Sequence, residues 1–101
     1  MITVIASITV KAERKFEFIK LFKANMPAVL AEAGCIEYVP TVDLATGLPP
    51  QILEDDVVTI IERWQSVAAL KEHLAAPHMH RYREQAKEMV AGVAIKVLQT
   101  I

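Results

Sequence analysis

Hydrophobic residues in this chain switch repeatedly between two spacings, and the order of the switches leaves few folds open. Ile2, Val4, Ala6, Ile8 and Val10 recur at every second position, the mark of a strand with one buried face. From Ala12 to Ala33 the spacing turns helical: Phe18, Phe22, Met26, Val29 and Ala33 share one side, with Ile19 and Leu30 beside them. Lys15, Glu17, Lys20 and Lys23 occupy the other side. Pro27 is expected to kink or divide this helix, and Gly34 to end it in the left-handed conformation. A second strand carries Ile36, Tyr38, Val42 and Leu44, with Pro40 marking an edge or a bulge. Gly47-Leu48-Pro49-Pro50 places a loop across Ala45 to Asp56.

Alternation returns from Val57 to Trp64, with Val58, Ile60, Glu62 and Trp64 on one face. Ser66 suits the N-cap of a short helix bearing Val67, Leu70 and Leu74. Pro77 suits the first turn of a further helix reaching about Ala91, and a last strand runs from Val93 to about Thr100. Strand, helix, strand, strand, helix, strand is the plan of the ferredoxin-like split βαβ fold. This is an α+β class with one antiparallel sheet and helices on a single face. One domain over residues 1–101 is expected.

The sheet face without helices carries Ile5, Val39, Ile60 or Ile61, and residues between Val93 and Val97. Hydrophobic residues make up 53% of the chain, and a protein this small has little interior to hide them. Both points lead to a homodimer in which two sheets face each other. Net charge is −1 with no basic stripe, so no nucleic-acid partner is expected. The apolar runs are too short to span a bilayer, so no membrane partner is expected either. The first residues lack the basic flank of a secretory signal, and a single Cys suits a reducing cytoplasm, so a cytoplasmic location is expected.

The stretch Glu62 to Tyr82 holds most of the chemistry. A strand ends on a carboxylate and an indole, a short helix follows, and the His73 imidazole stands where that helix finishes. Polar and aromatic groups brought towards an apolar interior make a small pocket for an aromatic ligand. Each also has a structural role open to it. His73 can pack beside Leu70 and Leu74, and Trp64 can fill the core with its N–H on a backbone carbonyl. Glu62 is expected in an ion pair with Arg63 of the partner subunit or another cation, with an acid in the pocket as the alternative. Met79, Tyr82, Ala86 and Met89 or Val90 form a helical stripe that serves first as core and second as pocket wall. His78 and His80, two apart, point to different sides. They are read as surface histidines, with His80 near Glu84, and no metal is expected. Cys35 is read as a small buried hydrophobe.

In Glu62-Arg63-Trp64-x-Ser66-x-x-x-Leu70-x-x-His73 the chain resembles the antibiotic biosynthesis monooxygenase domain family, including its quinol monooxygenase-like members. Glu32-Ala33-Gly34-Cys35-Ile36-Glu37-Tyr38 resembles the family's link from first helix to second strand, with Ala33 in place of the usual Pro. Pro77-His78 resembles its second helical start. The resemblance implies a dimeric α/β barrel with a cavity in each subunit between sheet and helices. It also implies oxygenation of phenols or quinols by dioxygen without metal or flavin, so no cofactor is expected.

Such chemistry needs a base, a donor for developing negative charge and a dry aromatic-lined pocket. His73 is the expected base, Tyr82 or Trp64 the hydrogen-bond donor and Arg83 the cation stabilising negative charge. Trp64, Glu62, Tyr38 and Met79 are the expected substrate-binding residues. Haem-degrading relatives place Asn on the first strand, Trp at the position of His73 and His near that of Arg83. Here Ala6 or Ser7, His73 and Arg83 stand there, and these departures argue against haem. The expected function is therefore cofactor-independent monooxygenation of a quinol, phenol or polyketide-like aromatic. The alternatives are a dimeric small-molecule-binding or stress-response module without turnover, and cofactor-free isomerase or lactone chemistry on the same fold.

Overall fold

The computed structural model describes residues 1–101. In chain order it contains β1 (Ile2–Val10), a 3₁₀ turn (Ala12–Arg14), α1 (Lys15–Leu30), β2 (Cys35–Thr41), β3 (Val57–Trp64), α2 (Val67–Ala75), α3 (Pro77–Ala86) and β4 (Val90–Leu98). The four strands form one antiparallel sheet in the order β2-β3-β1-β4, which is the expected ferredoxin-like arrangement.

Residues paired across antiparallel strands project to the same side, so the register decides which faces meet. Val4 lies opposite Glu62, Ala6 opposite Ile60 and Ile8 opposite Val58. All are buried, and α1 covers them with Phe18, Phe22 and Val29, while α3 contributes Met79, Tyr82 and Ala86. Phe22 stacks on Tyr38 with ring centroids 5.3 Å apart and meets Tyr82 edge-on at 6.0 Å. Such offset and edge contacts suit the ring quadrupoles and hold the helix layer in one orientation.

Several local expectations change. The helical periodicity from Ala12 begins as a 3₁₀ turn, and α1 ends at Leu30 rather than Ala33. Pro27 neither divides nor ends α1; it sits in the last turns, and its carbonyl accepts the Ala31 N–H at 3.1 Å. Gly34 is not left-handed, since Gly47 alone has positive φ (73°). Glycine is required at position 34 because a Cβ there would stand 2.3 Å from the Ala69 Cβ. The link before β2 thus lies directly against α2, and the Gln65 N–H donates to the Gly34 carbonyl at 2.9 Å.

β2 is an edge strand, as Pro40 suggested, but its irregularity falls between Cys35 and Glu37, and the strand stops before Val42 and Leu44. Ser66 caps α2 as expected, its hydroxyl accepting the Ala69 N–H at 3.1 Å. Pro77 opens α3 as expected, but α3 stops at Ala86 and β4 begins at Val90, earlier than Val93. Cys35 is half-buried rather than fully buried.

The placement of β4 differs most. Val93, Ile95 and Val97 pair with Ile8, Ala6 and Val4, so they lie on the helix side of the sheet and not on its bare face. The helix layer leaves them partly uncovered, at 64%, 52% and 47% exposed. The bare face itself carries Ile5, Val39 and Ile61, of which Val39 is 40% exposed. No helix is long and apolar enough to cross a membrane.

Candidate active site

Where the three helices lean over β1, β3 and β4, they leave a cavity of about 140 Å³. Of the residues expected at a site, His73, Tyr82, Arg83, Glu62, Tyr38 and Met79 border it together with Phe22. Trp64 does not border the cavity. It is fully buried behind it, with its ring 4.5 Å from that of His73. A second groove of about 250 Å³ shares Ile8, Tyr82, Arg83 and Val93 with the cavity and continues past Ala86 and Val90 to Lys87.

Each position has a local cause. His73 falls in the last turn of α2, on the same side as Leu70, so the helix that buries Leu70 also buries the imidazole. Glu62 shares the inner face of β3 with Ile60 and Trp64 because strand side chains alternate. Tyr82 and Met79, three apart on α3, present neighbouring side chains to the sheet. Arg83 follows Tyr82 and donates to the Leu74 carbonyl at 2.8 Å, which ties the end of α2 to α3. Its Nη2 also stands 3.1 Å from His80 Nδ1. His80 therefore associates with Arg83, not with Glu84.

Within one chain the Glu62 carboxyl makes no ion pair and meets an indole instead. Trp64 Nε1 donates to Glu62 Oε1 at 2.9 Å, and no cation pairs with the carboxyl; Arg63 lies 3.9 Å from Glu37 instead. Arg63 of the same chain projects to the opposite face of the strand from Glu62. Burial pushes the Glu62 carboxyl up to about 7, against the opposing effect of the indole hydrogen bond and with a further push from Glu32. The indole N–H thus binds a side chain rather than a backbone carbonyl.

Burial holds the His73 imidazole below its ordinary range, opposed by its hydrogen bond to Glu32. Nδ1 lies 2.7 Å from Glu32 Oε2. The two residues are 41 positions apart, so no local spacing advertises the contact. His78 is another departure: it is largely buried, its Nε2 is 3.3 Å from the same Glu32 oxygen, and neither of its ring nitrogens makes an aligned hydrogen bond. Glu32 and Phe22 are the site residues that sequence reasoning did not single out. For Glu32 the available signal was its place just before Gly34, at the close approach to α2. Burial also raises Tyr38 and Tyr82, so both stay phenols and Tyr82 keeps a proton to donate. No group of three or more His, Cys, Asp or Glu side chains is arranged to hold a metal ion.

Comparison with known proteins adds to this geometry. Residues 1–85 match the family described as antibiotic biosynthesis monooxygenase. The chain is 39% identical over 101 residues to a protein named probable quinol monooxygenase YgiN of Escherichia coli (strain K12), covering 98% of this chain and 97% of that one. Among solved structures it is similar to Rv0793 from Mycobacterium tuberculosis, with 27% identity, a TM-score of 0.82, and coverage of 99% of this chain and 94% of that one. It is also similar to PA3566 from Pseudomonas aeruginosa, with 25% identity, a TM-score of 0.82, and coverage of 99% and 93%.

Proposed function

The chain belongs to the antibiotic biosynthesis monooxygenase family, and from that premise we propose that it oxidises a quinol or related phenol with dioxygen, without a cofactor. The observation that carries this reading is the meeting of His73, Glu62 and Tyr82 on one small, mostly apolar cavity. An apolar cavity of about 150 Å³ accommodates benzene. The volume here thus suits one aromatic ring, with further substituents running into the adjoining groove.

In the proposed reaction His73 takes the phenolic proton. The imidazole is kept neutral by burial and so is ready to accept it. The phenolate passes one electron to dioxygen, and the resulting superoxide and aryloxyl radical combine at a ring C–H carbon. Tyr82 and Arg83 lie where they can stabilise the new peroxide anion. Protonation of the distal peroxide oxygen, loss of the ring C–H proton and cleavage of the O–O bond leave a ring carbonyl and one water. One oxygen atom enters the ring and the other leaves in water. Glu62, titrating near neutral pH at the same cavity, is suited to return the proton.

The test is dioxygen consumption with reduced menadione and a panel of one-ring and two-ring hydroquinones, measured against autoxidation without protein. Uptake above that blank for at least one member is expected. Its absence across the panel sinks the reading and favours the small-molecule-binding alternative.

The exposed Val93, Ile95 and Val97, together with the apolar bare face, support the homodimer as the working form. A reducing, cytoplasmic setting suits the free Cys35. Sedimentation at micromolar concentration should give twice the mass of one chain, and a single-chain mass would contradict the dimer.

A further inference from the structure

We propose that Glu32 is the positioning residue of His73, fixing its tautomer and its basicity, and that His78 competes for the same carboxylate oxygen. The inference rests on the reading of His73 as the base of the cavity. Glu32 lies outside the cavity lining, at the link between α1 and β2, so it acts through the imidazole and not on a ligand.

The geometry is that of an oriented histidine. Glu32 Oε2 sits 2.7 Å from Nδ1 of a ring that is 2% exposed. An ionised carboxylate can only accept, so the proton of the neutral ring must reside on Nδ1 and the lone pair on Nε2. A carboxylate bonded to one nitrogen also makes the other more basic, which opposes the burial that depresses the ring. The ring has no freedom to turn away, since Trp64 packs at 4.5 Å and Tyr38 meets it edge-on at 5.6 Å.

His78 explains an otherwise costly arrangement. Both its ring nitrogens are buried without an aligned partner, yet Nε2 stands 3.3 Å from the oxygen that serves His73. A hydrogen bond from His78 Nε2 would divide that oxygen between two imidazoles and weaken its hold on His73. The other groups facing His73 are Arg83 from α3, Glu62 and Trp64 from β3, and the Tyr38 and Tyr82 phenols. Arg83 and His78 both disfavour a charged His73, so Glu32 is the group that supports it.

Long-range ¹H–¹⁵N spectra of the histidine rings read tautomer and titration without any turnover. In the native protein the His73 proton should reside on Nδ1. In Glu32→Ala that preference should be lost, and in both Glu32→Ala and the near-isosteric Glu32→Gln the ring should titrate at lower pH. A native proton on Nε2, or unchanged titration in Glu32→Gln, overturns the proposal, even if the alanine variant fails to fold. In the dioxygen assay Glu32→Gln should lower the plateau rate about tenfold, a part of what a general base contributes, and move the acid limb of the profile to lower pH. An unmoved acid limb also overturns it. If the native protein shows no quinol-dependent uptake, the proposed reaction fails while the spectra still decide the role of Glu32.

Discussion

Replacing His73 with Ala should lower quinol-dependent dioxygen uptake by about two orders of magnitude or more, the usual loss when a general base is removed. The loss should appear in kcat more than in KM, because the imidazole is one part of an extended lining and its special contribution is to proton transfer. His73→Gln fills more of the vacated volume and keeps a polar group near Glu32, so it separates lost basicity from a collapsed cavity. Both variants should be similarly slow. A rate within a fewfold of the native protein in both would remove His73 from the mechanism. It would then direct attention to Glu62, the other group on the cavity that titrates near neutral pH.

Glu62→Gln should change how stability depends on pH. The folded-state value is raised from 4.5 to about 7. A group raised in this way contributes stability that is present below its unfolded value and lost as pH rises through the folded one. The native protein should therefore lose about 3 kcal/mol from this group between pH 4 and pH 8, at about 1.4 kcal/mol for each pH unit of displacement. Glutamine can still accept from Trp64 Nε1 and carries no charge to bury, so the variant should be spared that loss. His73 acts in the other direction. Its depressed value costs stability as pH falls below the ordinary imidazole range, and this is common to both proteins. Urea unfolding of both proteins at pH 5 and pH 8, at one fixed protein concentration, isolates the Glu62 contribution. Parallel pH dependence in the two would show that Glu62 stays ionised in the fold.

These outcomes bear on why one part of the site was legible in the sequence and another was not. His73, Tyr82, Arg83, Glu62, Tyr38 and Met79 belong to elements whose inward face is set by spacing, and they do reach one cavity. Trp64 obeys the same alternation yet stands behind the cavity, because Glu62 and His73 come between indole and ligand space. Gly34 stands out in the sequence as a helix-ending glycine, but glycine is required there by contact with Ala69, which only packing creates. Val93, Ile95 and Val97 make the same point. Their alternation is plain, but which of two faces they occupy depends on pairing with Val4, Ala6 and Ile8.

The sequence by itself determined the element order, the antiparallel α+β plan, the inward faces of β1, β3 and α3, and the family, because strand and helix periods are local and repeat many times. The tertiary structure alone decided that Glu32 meets His73 and that His78 turns inward to the same oxygen. Those contacts join side chains from separate elements over a few ångströms, a distance that no spacing within one element encodes.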